Sequence, residues 1–460
     1  MKGPDKGMPQ LVTNFADFRR KYGGYLSQEE FGDYRFLAYA VEHFFINGGT
    51  RAYIMRVTPP DAKCAHSVSE QSILKFTAKD AGKWGIFIRV VITPSSKAKT
   101  QILSAEELVQ GMGYKVKNAA GFQTGDIVAF SDGNSIQYNK ISSVQDNLLS
   151  FTNAFDGDVT DTEILPSKVI YTCEFNVEFK YEDTVELYEN VSLNPRSLGF
   201  IKNKMAKSAL LDVSVEIPET DTLCSTFEMI AGADKDILVI GMDGGSNDTK
   251  DALSAADFIG TDNGPGKRTG IQSFIANDVM SIIAVPGVTD PNVQLSLVAH
   301  FESLASRFAV LDLPRESQKI DDVVAHRNIF DSSYAALYHP WIEVFDPLSK
   351  MKTAIPPSGS IAGIFARSDT SRGVHKAPAN EIIRACVGLD CMYNKGEQDI
   401  LNPKGVNLIR AFPGQGIRVW GARTLSFDPS WKYVNIRRLF IYLEESIKGN
   451  TNLVVFEPND

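Results

Sequence analysis

The sequence predicts a multidomain protein of mixed α/β class, in which a small β-rich domain is inserted into a larger α/β core. Three observations support this prediction. With 460 residues, the chain is too long for one ordinary hydrophobic core. From residue 236 onward, short apolar segments alternate with segments of helical periodicity, which is typical of an α/β layer with some parallel strands. Between residues 93 and 172, short strand-like segments are separated only by turns.

The first part of the chain, residues 11–58, is predicted to form a compact α/β unit. Residues 11–13 are a strand candidate, and the apolar spacing over 15–22 predicts a helix. A second helix is predicted over 36–45, and it ends at a glycine pair because glycine adopts left-handed backbone angles at little cost. The β-branched and aromatic residues of 51–57 predict a strand.

Residues 93–172 are predicted to form the inserted β-rich module. Asp132-Gly133 and Asp146-Asn147 are pairs of residue types that accept the positive φ of tight hairpin turns. The strand candidates around these turns are 126–130, 135–138 and 148–151. Apolar alternation resumes at 174–181, where the surrounding core is expected to continue.

The second half of the chain is predicted to contain the parallel strands. A helix is expected over 292–308, because Val293, Leu297, Phe301 and Leu304 form an apolar stripe at helical spacing. The strand candidates are 237–240, 281–285 and 308–312. The expected domains are the N-terminal part of the core (1–92), the inserted module (93–172), the remainder of the core (173–355) and a C-terminal domain (356–460).

Charge and cysteine content argue against several classes of protein. The net charge of −9 and the pI near 5.4 disfavour a nucleic-acid binder and a protein of anionic membrane surfaces. No apolar stretch approaches the roughly 20 residues of a membrane span, and the first residues lack a secretory signal, so synthesis and folding in the bacterial cytoplasm are expected. The five scattered cysteines are expected to be buried thiols, although Cys386 and Cys391 could be bridged or share a metal.

The sequence predicts no catalytic residue, cofactor or metal site. Two glycine-rich segments, 243–248 and 260–268, leave one alternative open, which is an α/β nucleotide-binding enzyme that uses the 241–268 loops. A phosphate-binding loop has four residues between its first glycine and Gly-Lys, followed by Ser or Thr. Here five residues separate Gly260 from Gly266, and Arg268 replaces the hydroxyl residue. The six histidines form no metal-binding pattern, and no GxSxG motif is present.

Nine segments, considered together, resemble the contractile tail sheath family, which includes sheaths of phages, R-type tailocins and extracellular contractile injection systems. They are 36–49 (FLAYAVEHFFINGG), 333–341 (SYAALYHPW), 356–359 (PPSG), 362–369 (AGIFARSD), 372–380 (RGVHKAPAN), 401–407 (LNPKGVN), 419–425 (VWGARTL), 431–438 (WKYVNIRR) and 455–459 (VFEPN). Their number, order and spacing carry the resemblance, which is weakest over the inserted module.

The resemblance implies a structural subunit without catalytic activity. Family members assemble as hexameric rings in a helical sheath around an inner tube, with baseplate and tail-terminator proteins at the ends. Contraction of the sheath drives the tube through a target envelope. The resemblance therefore implies membership of a virion tail or a released injection particle, without nucleic-acid binding or membrane insertion.

The resemblance also implies linking segments that are not evident in this sequence. Family members generally have an N-terminal arm before the segment that matches residues 2–4, and further helices and a strand after the segment that matches 456–459. These extensions link subunits by strand addition to a shared sheet. We therefore expect the chain as written to fold but to be largely monomeric in dilute solution.

Two polar clusters are candidate contacts with other subunits or with the tube. One is a basic edge near the last predicted helix, and the other is a possible salt-bridge surface between glycines. The candidates are Lys432, Arg437, Arg438 and Lys448 in the first cluster, and Arg367, Asp369, Arg372 and Lys376 in the second. The alternative is that these groups are solvated, or paired within their own chain. Three tryptophans, Trp341, Trp420 and Trp431, are expected to be core residues.

Overall fold

The computed structural model describes residues 2–4, 7–109, 111–157, 159, 168–217, 223–246, 253–451 and 455. Contacts divide the chain into two compact units. The larger unit combines Met1–Asp61 with Asp248–Asp460, and the smaller unit is Ala62–Asn247. The domain boundaries expected from the sequence, after residues 92, 172 and 355, stay predictions.

The larger unit begins with a small α/β segment. Its elements are β1 (Gln10–Val12), α1 (Phe15–Tyr22), α2 (Gln28–Phe31), α3 (Leu37–Ile46) and β2 (Ala52–Ile54). The Asn14 side chain caps α1 by accepting from the backbone N–H of Asp17, and β1 pairs antiparallel with β2. Both predicted helices are confirmed within one residue, whereas the strand predicted over 51–57 is limited to three residues.

The smaller unit is mostly antiparallel sheet. Its elements are β3 (His66–Val68), β4 (Leu74–Ala78), β5 (Arg89–Ser95), β6 (Lys99–Thr100), β7 (Ile102–Glu107), β8 (Met112–Val116), β9 (Ile127–Ser131), β10 (Ile136–Gln145), β11 (Leu148–Phe151), β12 (Val169–Thr172), β13 (Glu174–Tyr181), β14 (Thr184–Val191), α4 (Ile201–Met205), β15 (Leu211–Val215), α5 (Thr226–Ala231) and β16 (Leu238–Gly241). Two sheets, β14-β13-β5-β16 and β15-β4-β3, share one core that includes Phe76, Val90 and Phe179.

A separate seven-stranded sheet lies entirely between Lys99 and Thr172. Its order is β6-β12-β9-β10-β11-β8-β7, and every pairing is antiparallel. The outermost strands, β6 and β7, are joined by the single residue Gln101, so the sheet curves back on itself around one core. The predicted hairpins are confirmed, and Asp146 adopts a φ of 48° in the β10–β11 turn.

The rest of the larger unit is built around a second, mixed sheet. Its elements are α6 (Ala255–Ile259), β17 (Ile282–Ile283), α7 (Pro291–Leu304), β18 (Phe308–Asp312), α8 (Ile320–Arg327), β19 (Ala335–His339), β20 (Ile342–Phe345), β21 (Lys352–Ile355), α9 (Ser358–Arg372), β22 (Glu381–Ile382), β23 (Gly388–Leu389), α10 (Lys395–Leu401), β24 (Val406–Phe412), β25 (Gly416–Val419) and α11 (Val434–Thr451). Short 3-10 turns occur at Gly32–Phe36, Lys83–Phe87, Gly270–Phe274, Asn402–Lys404 and Pro429–Trp431.

This six-stranded sheet has the order β17-β18-β19-β24-β25-β22. Its first three pairings are parallel, which confirms the α/β prediction, and the pairings of β25 with β24 and β22 are antiparallel. A three-stranded sheet, β21-β20-β23, lies beside it in the same unit. Among the described helices, none is long and apolar enough to cross a membrane.

Helices cover both faces of the six-stranded sheet. Successive residues of a strand point to opposite faces, so Phe308 and Val310 join one core with α9, and Ala309 and Leu311 join another with α7. Both faces are therefore buried, as the nearly continuous apolar sequences of β18 and β19 require.

The three tryptophans differ in their surroundings. Trp341 is buried, as expected, and its indole N–H donates to the Leu313 carbonyl at 2.8 Å. The expectation for Trp420 is wrong, because it follows the end of β25, remains 38% exposed and packs on Phe412 outside the core. Trp431 is half-buried against α11.

Candidate functional site

Helix α9 carries three of the predicted contact residues. The helix begins directly after Pro357 and ends at Gly373, whose φ of 95° favours glycine because a side chain would be strained there. Arg367 is half-buried and Arg372 is exposed, so the helix turns them in different directions. Asp369 faces the last helix of the fold, α11.

Asp369 and Arg438 meet in a bidentate ion pair, although 69 residues separate them in the sequence. Two guanidinium nitrogens of Arg438 lie 2.9 and 2.6 Å from the two carboxylate oxygens of Asp369. The guanidinium carbon also lies 4.9 Å from the ring centroid of Phe365. Arg438 is buried, so its charge holds α11 to α9 within one chain.

Arg437 is also held within its own chain. Its guanidinium carbon lies 3.5 Å from the ring centroid of Trp431 and 4.4 Å from that of Tyr334. Its Nε donates to the Ser333 hydroxyl at 2.9 Å. A buried guanidinium held in this way is not a free contact group, so the two adjacent arginines form no outward basic edge.

Arg367 and Lys376 both bind the carboxylate of Glu381. Lys376 Nζ lies 2.8 Å from one carboxylate oxygen, and a guanidinium nitrogen of Arg367 lies 3.5 Å from the other. Arg367 also donates to the Asn47 and Ile382 carbonyls, at 3.1 and 2.7 Å. Burial raises the pKa of Glu381, but the hydrogen bonds and charges of Lys376 and Arg367 outweigh burial and leave this pKa below its usual range. This geometry favours the alternative in which the cluster is paired within its own chain.

The remaining candidates are more accessible. Arg372 is exposed, Lys432 is half-buried, and Lys448 lies on the outer surface of α11, 3.6 Å from Glu445. An exposed pair of this type contributes about 0–1 kcal/mol to folding, so Lys448 remains available to another molecule. Of the eight predicted residues, Arg372, Lys432 and Lys448 are therefore the candidates for outward contact.

Sequence reasoning missed an exposed apolar stripe on α11. Phe440, Leu443 and Ile447 are spaced by three and four residues, which places them on one helix face. They are 44%, 45% and 62% exposed. The opposite face of the helix buries Val434 and Ile441. The spacing was a readable signal, but such a stripe ordinarily predicts burial within the same chain.

The glycine-rich loop at 260–268 binds its own polar groups. Arg268 Nε lies 2.8 Å from the Asp262 carboxylate, which also accepts from the backbone N–H of Gly264 at 3.0 Å. These bonds hold the pKa of Asp262 below its usual range, with the Arg268 bond the largest cause. Two donors of the loop are therefore bound to its own carboxylate. Part of the other segment, residues 247–248, lies outside the described residues.

Side chains that could hold a metal ion are dispersed over the described residues. Within the ranges that the structure describes, no group of three His, Cys, Asp or Glu side chains could hold a metal ion. All five cysteines are free thiols, of which Cys173 is buried and the others are half-buried. Burial lowers the pKa of His43, His300 and His339, so these imidazoles are neutral at pH 7.

Known tail sheath proteins are similar to parts of this chain. Residues 264–425 match the phage tail sheath protein central domain. The putative prophage major tail sheath protein of Pseudomonas aeruginosa (strain UCBPP-PA14) is 25% identical over 229 residues, which are 46% of this chain and 57% of that protein. The tail sheath protein of Escherichia phage P2 is 27% identical over 233 residues, which are 47% of this chain and 58% of that protein. The matches thus span a little more than half the length of these relatives.

A solved structure has a similar fold over nearly the whole chain. The sheath tail protein Lin1278 from Listeria innocua aligns with a TM-score of 0.52 at 10% identity, and the alignment covers 98% of this chain and 77% of that chain. At this identity the likeness concerns the fold alone. The central-domain match and the curated relatives point to the same family, and the fold agrees with it. The chain therefore contains a phage tail sheath protein central domain and is related over about half its length to tail sheath proteins.

Proposed function

We propose that this chain is a structural subunit that polymerises helically around an inner tube. In this proposal, hexameric rings of subunits form an extended sheath whose contraction drives the tube through a target envelope. The subunit acts by assembly and does not catalyse a reaction. Its other partners are baseplate and tail-terminator proteins, and after synthesis in the bacterial cytoplasm it becomes part of a virion tail or released injection particle.

The observation that carries this proposal is the apolar stripe on α11. A stripe of Phe440, Leu443 and Ile447 on the outer face of a helix is unfavourable in water. A neighbouring molecule that covers the stripe would remove this cost. The accessible cation Lys448 follows Ile447 on the same helix, so the surface combines apolar and charged groups as protein interfaces do.

The expected strength of this contact suits a repeated assembly. Full burial of a Leu, Ile or Phe side chain contributes about 1.5–3 kcal/mol. Three side chains that are about half exposed would therefore contribute a few kcal/mol in one contact, which is too little for a tight pair. When the contact is repeated between many subunits of a lattice, the summed free energy holds the assembly together. Each single contact stays weak enough to rearrange during contraction.

Electron microscopy of the protein produced together with its tube partner tests the proposal. We expect striated sheaths or hollow contracted cylinders from the wild type. Replacement of two stripe residues, Phe440→Asp with Ile447→Asp, should abolish these assemblies while circular dichroism remains unchanged.

A matched control is Leu295→Asp, which introduces the same charge at an exposed apolar position of α7. It should assemble as the wild type does. Normal assembly of the double stripe variant would contradict the role of the stripe. Failure of the wild type to assemble with its tube would contradict the proposed function itself.

A further inference from the structure

A polar cavity of about 240 Å³ lies on the larger unit, and no residue of the stripe on α11 lines it. It is lined by Arg327, Asn328, Pro403, Lys404, Gly405, Arg423, Thr424, Ser426, Phe427 and Lys432. Four of these residues are cations, and none is an acid. Three of the cations, Lys404, Arg423 and Lys432, come from three separate segments that sequence analysis singled out, 401–407, 419–425 and 431–438. The fold brings these distant segments together at one place.

Arg327 is a buried guanidinium in the wall of this cavity. It is 1% exposed and packs on the ring of Phe427 at 4.4 Å. Its Nε donates to the Lys404 carbonyl, and its other nitrogens donate to the Phe330 and Leu425 carbonyls at 2.7 and 2.9 Å. Three of the five guanidinium N–H groups are thereby bound, which fixes the side chain in place.

No carboxylate neutralises Arg327 at close range. In the part of the chain that the structure describes, no Asp or Glu oxygen lies within 4.0 Å of its guanidinium nitrogens. Burial lowers the pKa of Arg327, and the more distant Asp331 offsets this only in part. Buried charges are normally paired because moving a charge out of water costs free energy. Without a carboxylate partner, the Arg327 guanidinium retains most of this cost.

The other three cations add to the same positive field. Over the described ranges, Lys404, Arg423 and Lys432 also form no ion pair. The Arg423 guanidinium carbon lies 5.4 Å from the ring centroid of Tyr433. Elsewhere in this unit, Arg367, Lys376 and Arg438 each have a carboxylate partner. The cavity therefore concentrates unneutralised positive charge in a chain whose net charge is −9.

We propose that this cavity binds a small oxyanion of the phosphate or carboxylate class. The Arg327 guanidinium supplies a fixed charge at the wall, and Lys404, Arg423 and Lys432 supply charge around the anion. The Ser426 hydroxyl is a further hydrogen-bond group in the lining, whereas the Thr424 hydroxyl already donates to the Trp431 carbonyl at 2.6 Å. The same chemistry accepts a free inorganic anion or an acidic side chain of a second copy of this chain.

Calorimetric titration with inorganic phosphate and with glutarate, at constant ionic strength, tests the proposal. We expect saturable binding of both probes. The double variant Lys404→Gln with Lys432→Gln should weaken binding at least about tenfold, because each substitution removes a charge-assisted contact. Neither side chain is buried, so the fold should be retained, which an unchanged thermal melt would verify.

The matched control removes the same charge elsewhere. Lys319→Gln with Lys395→Gln changes two exposed lysines outside the cavity and should bind both probes as the wild type does. Equal affinity in both double variants, or no saturable heat from wild type at millimolar probe, would overturn the proposal. Sedimentation distinguishes the two sources of the anion. If phosphate dissociates a self-associated form, the occupant is a side chain of another copy, and if sedimentation is unchanged, it is the free anion.

Discussion

Gly363 is a position at which one added methyl group should destabilise the larger unit. It lies on α9 where this helix crosses α3. A Cβ atom at Gly363 would lie 2.4 Å from the Phe44 carbonyl oxygen and 2.9 Å from Asn47 Cβ, whereas ordinary contact begins at 3.4 Å. Neither neighbour is the end of a flexible side chain, so the two helices would have to separate by roughly 1 Å.

The magnitude follows from two opposing effects. Overpacking of this kind costs about 1–3 kcal/mol, and backbone contact places Gly363→Ala at the upper end of this range. Alanine is favoured over glycine in a helix by about 1 kcal/mol, which offsets part of the loss. A shift of α3 would also disturb Asn47, whose side chain accepts from the Arg384 backbone N–H at 2.9 Å. We expect a net loss of about 2 kcal/mol in the free energy of unfolding.

Urea unfolding of the wild type and of two glycine variants measures this effect. Gly449→Ala is the matched control, because Gly449 lies on α11 with nothing within 4 Å of an added Cβ. It should be neutral or stabilising by up to about 1 kcal/mol. The reasoning is refuted if Gly363→Ala is as stable as the wild type, or as stable as the control.

Three further predictions concern other parts of the larger unit and the proposed lack of catalysis. Burial raises the pKa of Asp312 to about 6, so the stability that this group contributes is present below its unfolded pKa of about 3.9 and is lost as the pH rises through 6. Asp312→Asn removes this titration but turns an amide NH₂ toward the backbone N–H of Gly287 or Ser358, which costs stability at every pH. Relative to the wild type, its unfolding free energy should therefore be higher at pH 7.5 than at pH 4 by about 2–3 kcal/mol; equal effects at both pH values in urea unfolding would contradict this. Arg438→Gln should destabilise the protein by about 3 kcal/mol in the same assay, because it leaves Asp369 without its buried partner. The control variant Lys448→Gln should change stability by less than about 1 kcal/mol, and similar losses in the two variants would count against the buried pair. Incubation with ATP and magnesium should release no phosphate, and steady hydrolysis would revive the nucleotide-binding alternative.

The candidate site could be predicted from the sequence only in part. The segments that hold Arg367, Asp369, Arg437 and Arg438 were identified, because their order and spacing resemble one family. Their accessibility was not predictable, since a charged residue near a helix start is usually solvated. The pairing of Asp369 with Arg438 depends on how α9 and α11 pack, and the chain between them gives no local signal of that packing.

Local chemistry determined much of the secondary structure. The hairpin turn at Asp146-Asn147, the helix over Phe15–Tyr22 and the alternation of β13 depend on neighbouring residues alone, and each was read directly from the sequence. Tertiary packing decided which apolar and charged side chains face water. Trp420 and the stripe of Phe440, Leu443 and Ile447 are exposed because of where their elements end or face in the fold, and Arg327 is buried where three distant segments converge. Burial depends on groups that are distant in the chain, and periodicity describes only neighbours along one element.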